Sequence, residues 1–61
     1  MNIGDIVDVN SVQELEDDCV YEDLESGLIL IKKPDGIYKP SANGLVLVDH
    51  GSLGNSFMRI K

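Results

Sequence analysis

LILIKKPDGIYKP, residues 28–40, predicts two strands, near 28–33 and 37–39, joined by a tight turn. Pro, Asp and Gly between the strands are turn formers, each for its own backbone reason. The pattern is typical of a hairpin with a loop of about 3–5 residues, closed by Gly36 in the left-handed conformation. Proline donates no hydrogen bond to a sheet, so Pro40 is expected to keep the second strand short.

Three further strands are predicted on either side of this hairpin. The stretch IGDIVDV at 3–9 precedes it, LVLVD at 45–49 follows an Asn-Gly turn, and SFMRI at 56–60 comes last. The loop 51–55 is expected to contain one 3₁₀ turn. The sequence therefore indicates a mainly β protein with five strands.

The segment 10–26 is harder to assign. Ser11 and Glu14 have the spacing of a capping box, which predicts a short helix or turn near 12–17. Aspartates are poor helix formers and carboxylates are unfavourable at a helix C-terminus, so we expect an extended piece to follow over 19–24. The alternative is an α+β fold in which one helix, 12–25, packs on the sheet.

The order of these elements resembles an SH3-like small barrel. In that family the first long loop is often acidic and the last two strands flank a single 3₁₀ turn. The resemblance covers the whole chain by spacing alone and implies a five-stranded antiparallel barrel forming one domain, 1–61. The chain has no Trp, and the aromatic residues that grip PxxP ligands are not evident. The resemblance therefore implies no ligand and no site.

The strands 28–31 and 45–48 are uninterrupted apolar runs. A strand with one solvated face alternates apolar and polar residues, and these two do not. Each places large apolar side chains on both faces of the sheet, and only one face can fill the core. The other needs a cover, either the segment 10–26 or a second protein molecule.

Charge is distributed unevenly along the chain. Residues 1–31 carry nine acidic side chains and no Lys or Arg, whereas residues 32–61 carry five bases and two acids. The two halves have net charges of −9 and +3, which give −6 for the chain. One interpretation is solubility, with internal neutralisation when the halves fold together. The other is function, because a net negative protein is attracted to basic surfaces and repelled by nucleic acid.

The functional hypothesis favoured by the sequence is a non-enzymatic module that docks its acidic segment on a basic surface of a partner protein. The partner could be a nucleic-acid-binding protein that the module regulates or inhibits by imitating phosphates, as in small phage-type accessory proteins. Apolar residues interleaved with the charges suit an interface. The predicted partner-binding residues are Glu14, Glu16, Asp17, Asp18, Tyr21, Glu22 and Asp23.

Two alternatives come from other classes. An SH3-like nucleic-acid-binding module would use the basic half of the chain, with Lys32, Lys33, Lys39 and Arg59 as its contacts, although the nearby acids disfavour nucleic acid. A structural homo-oligomer would join the acidic half of one copy to the basic half of the next.

Other chemistry has little support in the sequence. Asp49, His50 and Ser52 are triad residue types, but neighbours on a strand point to opposite faces and no nucleophile elbow precedes the serine. We predict no catalytic residue, no cofactor and no metal site. Acidic neighbours make Cys19 an unreactive thiol, best placed as a small buried hydrophobe. A single cysteine, with no signal peptide and no apolar membrane span, predicts a cytoplasmic protein.

Overall fold

The computed structural model describes residues 2–61, which form one antiparallel sheet. Its strands are β1 (Ile6–Asp8), β2 (Val20–Asp23), β3 (Ile29–Lys33), β4 (Gly36–Ser41), β5 (Gly44–Leu47) and β6 (Ser56–Arg59). Two 3₁₀ helices, Val12–Glu14 and His50–Ser52, are the helical elements of this part of the chain. The prediction of a mainly β fold is confirmed.

The sheet is not a closed five-stranded barrel, and that prediction is wrong. The strand order is β1-β6-β2-β3-β4-β5, so β1 and β5 are the two edges and β6 lies between β1 and β2. The extra strand is β2, which lies inside the extended piece expected at 19–24. It pairs with β3 on one side and with β6 on the other.

The helix expected near 12–17 is a single 3₁₀ turn, and the alternative helix 12–25 is absent from the described residues. The capping box itself is present: the Ser11 hydroxyl accepts from the Gln13 N–H at 3.2 Å, and Glu14 Oε2 accepts from the Ser11 N–H at 3.0 Å. The turn ends at Leu15, whose backbone is extended. Leu15 is buried in the core, and a continued helix would have carried the chain away from it.

The hairpin at 28–40 is tighter than predicted. Lys33 pairs with Gly36, so only Pro34 and Asp35 form the turn, and Gly36 is the first residue of β4 instead of a left-handed loop residue. Glycine suits this position through its φ of 159°, which residues with a Cβ rarely adopt. A Cβ on Gly36 would lie 2.9 Å from Cδ1 of Leu47, which packs across it from β5.

Strand β4 runs to Ser41, through the proline that was expected to stop it. Pro40 pairs with Leu45 on β5, whereas the register with β3 ends at Tyr38. Because no β3 residue pairs with Pro40, its missing N–H leaves no acceptor unpaired. Strand β5 ends two residues earlier than predicted, since the Asp49 carboxylate accepts from the Gly51 N–H at 3.0 Å and caps the second 3₁₀ helix.

The hydrophobic core lies on one face of the sheet. Side chains alternate between faces along a strand, and the core face carries Tyr21, Leu30, Ile37 and Phe57, all fully buried. The chain between β1 and β2 covers this face with Val12 and Leu15, and Leu53 packs from the loop before β6. The part of the segment 10–26 that precedes β2 therefore covers the core face. The opposite side of the sheet, which we call the open face, has no layer over it among residues 2–61.

Candidate functional site

Four of the predicted partner-binding carboxylates lie in one stretch, residues 14–18, which we call the acidic loop. Backbone hydrogen bonds fix this loop against the sheet. The Glu16 N–H donates to the Tyr21 hydroxyl at 3.0 Å, and the Asp18 N–H donates to the Lys32 carbonyl at 2.7 Å. Asp18 has a positive φ of 61°, a conformation that aspartate tolerates better than most residues. The loop is therefore held in one conformation.

Each of three loop carboxylates faces a cation on the sheet. Asp17 Oδ1 lies 2.6 Å from Lys32 Nζ, Asp18 Oδ1 lies 3.0 Å from Lys33 Nζ, and Glu16 Oε2 lies 3.4 Å from an Arg59 terminal nitrogen; the three pairs join the acidic and basic halves of the chain. The uneven charge seen in the sequence is thus partly neutralised within the fold. The carboxylates stay accessible, since the side chains of Glu16, Asp17 and Asp18 are 47%, 51% and 71% exposed.

Lys32 is the buried member of these pairs. Only 3% of the residue is exposed, and its ammonium also donates to the Lys33 carbonyl at 2.8 Å. Its side chain lies on the core face, because Lys32 pairs with the buried Ile37. A buried cation is costly unless it is paired, so Asp17 has a structural role in holding Lys32.

We expect unequal effects when the two partners of this pair are replaced. Asp17→Asn leaves the buried ammonium without an anionic partner and should lower the free energy of unfolding by about 1–2 kcal/mol. This is below the cost of breaking a fully buried pair, because Asp17 is half exposed and the amide oxygen can still accept a hydrogen bond. Lys32→Met removes the buried charge and with it the need for a charged partner. The free energy of unfolding should therefore change by less than about 1 kcal/mol. Urea unfolding followed by circular dichroism measures both. Equal losses in the two variants would contradict this account.

Tyr21 and Asp23, also predicted as partner contacts, are inside the fold. Both are fully buried on the core face. Burial raises the pKa of the Tyr21 hydroxyl. Burial also acts to raise the pKa of Asp23, but hydrogen bonds from the Glu25 N–H, the Ser26 side chain and the Gly54 N–H outweigh it and lower that pKa. These two side chains hold the fold together and present no surface to a partner.

The remaining predicted contacts are separated from one another. Glu14 is exposed, and its carboxylate caps the first 3₁₀ helix through the N–H groups of Asn10 and Ser11, at 2.7 and 3.0 Å. Glu22 lies on the open face, since it alternates with Tyr21 along β2. The structure therefore brings together Glu14, Glu16, Asp17 and Asp18, and it leaves Glu22 on the other side of the sheet.

The bases predicted for nucleic-acid contact do not form a free basic patch. Lys32 is buried, and Lys33 and Arg59 face loop carboxylates. Lys39 is exposed on β4, opposite Val46. A phosphate backbone would have to compete with the protein's own carboxylates at three of the four positions.

Sequence reasoning did not find the structural role of Asp23. Its Oδ1 accepts from the Glu25 N–H at 3.0 Å and its Oδ2 accepts from the Ser26 hydroxyl at 2.9 Å, within the turn that joins β2 to β3. Oδ2 also accepts from the Gly54 N–H at 3.3 Å. A Cβ on Gly54 would lie 2.9 Å from the Cβ of Glu25, so only glycine permits this approach. The local signal was Asp followed by Ser and Gly, a turn-forming pattern.

The other candidate groups have structural uses. The Asp49 carboxylate accepts from the Gly51 N–H in the second 3₁₀ helix, and the Ser52 hydroxyl donates to the Asp49 carbonyl. His50 borders a cleft of about 140 Å³ together with Val12 and Asn55. Cys19 is buried, as predicted, with its Sγ 3.5 Å from the Asp17 carbonyl. Residues 2–61 contain no cluster of three or more His, Cys, Asp or Glu that could hold a metal ion. The same residues include no helix of the length and apolarity that a membrane span requires.

Three comparisons with known proteins complete the description of the site. No family model, no curated protein and no solved structure matches this chain.

Proposed function

We propose that this protein is a non-enzymatic interaction module that docks the acidic loop on a basic surface of a partner protein. The observation that carries the proposal is the arrangement of Glu16, Asp17 and Asp18. Each carboxylate is positioned by a cation of the sheet, yet about half or more of each side chain is exposed. A carboxylate has about four acceptor sites, so the lysine that each of Asp17 and Asp18 faces leaves acceptor sites for a lysine or arginine of a second protein.

Preorganisation supports this interpretation of the loop. An ordered loop loses less conformational entropy on binding than a flexible acidic tail does, and that loss normally weakens association. The hydrogen bonds from Glu16 to Tyr21 and from Asp18 to Lys32 already hold the backbone. The cost of ordering these carboxylates is therefore met by folding before a partner arrives.

Net charge supports the choice of partner. The chain carries −6, and three of its five bases face the acidic loop instead of forming a separate positive surface. Such a protein is steered toward basic surfaces and away from nucleic acid. Nucleic-acid-binding proteins present basic surfaces, and fixed carboxylates imitate their phosphate ligands. We favour a role in the cytoplasm in which the module regulates or inhibits such a protein, in the manner of small phage-type accessory proteins.

The two alternative functions have weaker support. Direct nucleic-acid binding would rely on Lys39, because the other predicted contacts face carboxylates of the same chain. A homo-oligomer in which acidic halves meet basic halves would use charges that are already paired within one copy.

The proposal predicts that neutralising two loop carboxylates weakens partner binding. The variant Glu16→Gln/Asp18→Asn keeps Asp17, and with it the pairing of buried Lys32. Two lost charge-assisted hydrogen bonds should reduce retention of the partner at least about tenfold. The measurement is affinity capture from cytosolic extract with mass spectrometry, repeated at rising salt because surface charge pairs are screened.

The matched control is Asp5→Asn/Glu25→Gln, which changes net charge by the same amount outside the loop. It should retain the partner, and circular dichroism should show that both variants are folded. Equal retention by the two variants would show that the loop is not the binding site.

A further inference from the structure

The open face carries an uncharged row of side chains across four strands. The register places Val20 opposite Ile31, Ile31 opposite Tyr38, and Tyr38 opposite Leu47, so the row runs from β2 to β5. Residues directly opposite one another in a sheet point to the same face. Leu47 is 60% exposed at the end of this row. A row of this kind normally faces a protein core.

More apolar side chains extend the face beside this row. Ile29 and Leu45 are exposed on the same side, and Ile6 and Met58 continue it across β1 and β6. Six strands about 4.8 Å apart, with about five residues each, give this face an outline of roughly 400 Å². The largest apolar patch on a monomer is usually about this size and is often functional.

Charged residues border the row on its two sides. Glu22 and its pair Ile29 lie two residues from the row, toward one end of the strands. Lys33 and its pair Gly36 lie two residues from the row, toward the other end. Asp8, which shares this face with Ile6 on β1, adds a carboxylate at the edge, so the face carries one net negative charge in a protein whose net charge is −6. Two copies that meet here avoid most of the repulsion that their acidic loops would cause.

We propose that a second copy of this chain covers the open face, as a twofold-symmetric sheet-on-sheet dimer. The twofold axis would lie between the two sheets, parallel to the uncharged row and perpendicular to the strands. It reverses the strand direction in the second copy and stacks the row of that copy on the row of the first. The same operation brings Glu22 of each copy over the side of the sheet where Lys33 of the other copy lies. The face is therefore self-complementary, because the uncharged rows meet each other and Glu22 of one copy meets the side that carries Lys33 of the other. A contact between identical surfaces must have this property.

The size of the protein favours the same arrangement. Stable domains pack two layers of secondary structure, and this chain covers one face of its sheet with only short segments. A chain of about 60 residues is marginal by itself and often gains stability by oligomerisation. An outline of roughly 400 Å² per copy is below the roughly 800 Å² of a standard interface, so we expect a dimer that dissociates on dilution.

Sedimentation equilibrium from 10 μM to 1 mM tests the proposal. The wild-type mass should rise from 6.7 kDa toward twice that value. Leu47→Lys, on the open face, should weaken association at least about tenfold by burying a charge against apolar side chains. The matched control is Val46→Lys, which changes the neighbouring residue of β5 on the other face and should leave the dissociation constant within about threefold.

A charge exchange tests the orientation of the two copies. Glu22→Lys alone and Lys33→Glu alone should each weaken association about tenfold, because like charges then meet twice in the dimer. The double variant restores opposite charges between the copies but not the Lys33–Asp18 pair within each copy, so it should associate more tightly than either parent without reaching wild type. Three results would overturn the proposal: a monomer throughout the concentration range, equal effects of the Leu47 and Val46 variants, or a double variant no better than its parents. Circular dichroism confirms that each variant is folded.

Discussion

Replacing Asp23 with alanine is expected to lower the free energy of unfolding by about 3 kcal/mol. The carboxylate is fully buried and accepts hydrogen bonds from Glu25, Ser26 and Gly54. Each buried donor left without an acceptor costs about 1–3 kcal/mol, although the Ser26 hydroxyl can turn toward water. A chain of this length has a total stability of roughly 3–9 kcal/mol. The variant should therefore lose between about a third and all of the stability of the fold.

Urea unfolding followed by circular dichroism measures this loss. The matched control is Glu25→Ala, which removes the neighbouring exposed carboxylate of the same turn and should cost less than about 0.5 kcal/mol. If both variants lost the same stability, the three hydrogen bonds to Asp23 would not be the source.

The same residue makes the fold sensitive to acid. The pKa of Asp23 is lower in the folded protein than its ordinary value near 4, so the ionised form stabilises the fold. Its contribution is complete above the unfolded pKa and is lost as pH falls through the lower folded pKa. The urea concentration at the unfolding midpoint of the wild type should therefore decrease as the pH is lowered below about 4. The midpoint of Asp23→Asn should decrease less over the same pH range.

Replacing Phe57 with alanine is the second change with a large expected effect, a loss of about 3–5 kcal/mol. Phe57 is fully buried at the middle of β6, where it pairs with Val7 on one side and Asp23 on the other. The substitution leaves a cavity where the strands on both sides of β6 meet the core. This loss is a large part of the roughly 3–9 kcal/mol that a chain of this length has, so the unfolding midpoint should fall far below that of the wild type.

Thermal and urea unfolding at about 10 μM measure the loss without a contribution from association. The control is Met58→Ala, one residue along β6 on the open face, where the side chain is only partly buried. It should cost less than about 1.5 kcal/mol. A Met58 variant as unstable as the Phe57 variant would mean that the core does not lie on the assigned face.

Local patterns predicted the elements that depend on neighbouring residues. The hairpin at 28–40, the capping box at Ser11, and the 3₁₀ turn before the last strand all follow from residues close in sequence. Strand β2 was predicted only as an extended piece, 19–24, and was not counted among the five strands. It is a strand because β6, more than 30 residues later, pairs along it.

The candidate site shows the same division. That the acidic stretch would meet bases of the other half was foreseeable from the charge distribution. Which carboxylate meets which base was not, because Asp17 and Lys32 meet only through the packing of the loop on β3. The burial of Lys32 and Asp23 likewise depends on register, since a shift of one residue would turn both side chains to the other face.

The position of β6 has a consequence for local opening of the sheet. Because β6 lies between β1 and β2, its detachment would leave β1 without a strand partner among residues 2–61 and would uncover one side of β2 at the same time. Loss of an edge strand such as β5 would uncover a single row of backbone groups on β4. Exposed strand edges are the places where sheets join other chains. Resistance to aggregation therefore depends more on the attachment of β6 than on that of either edge strand.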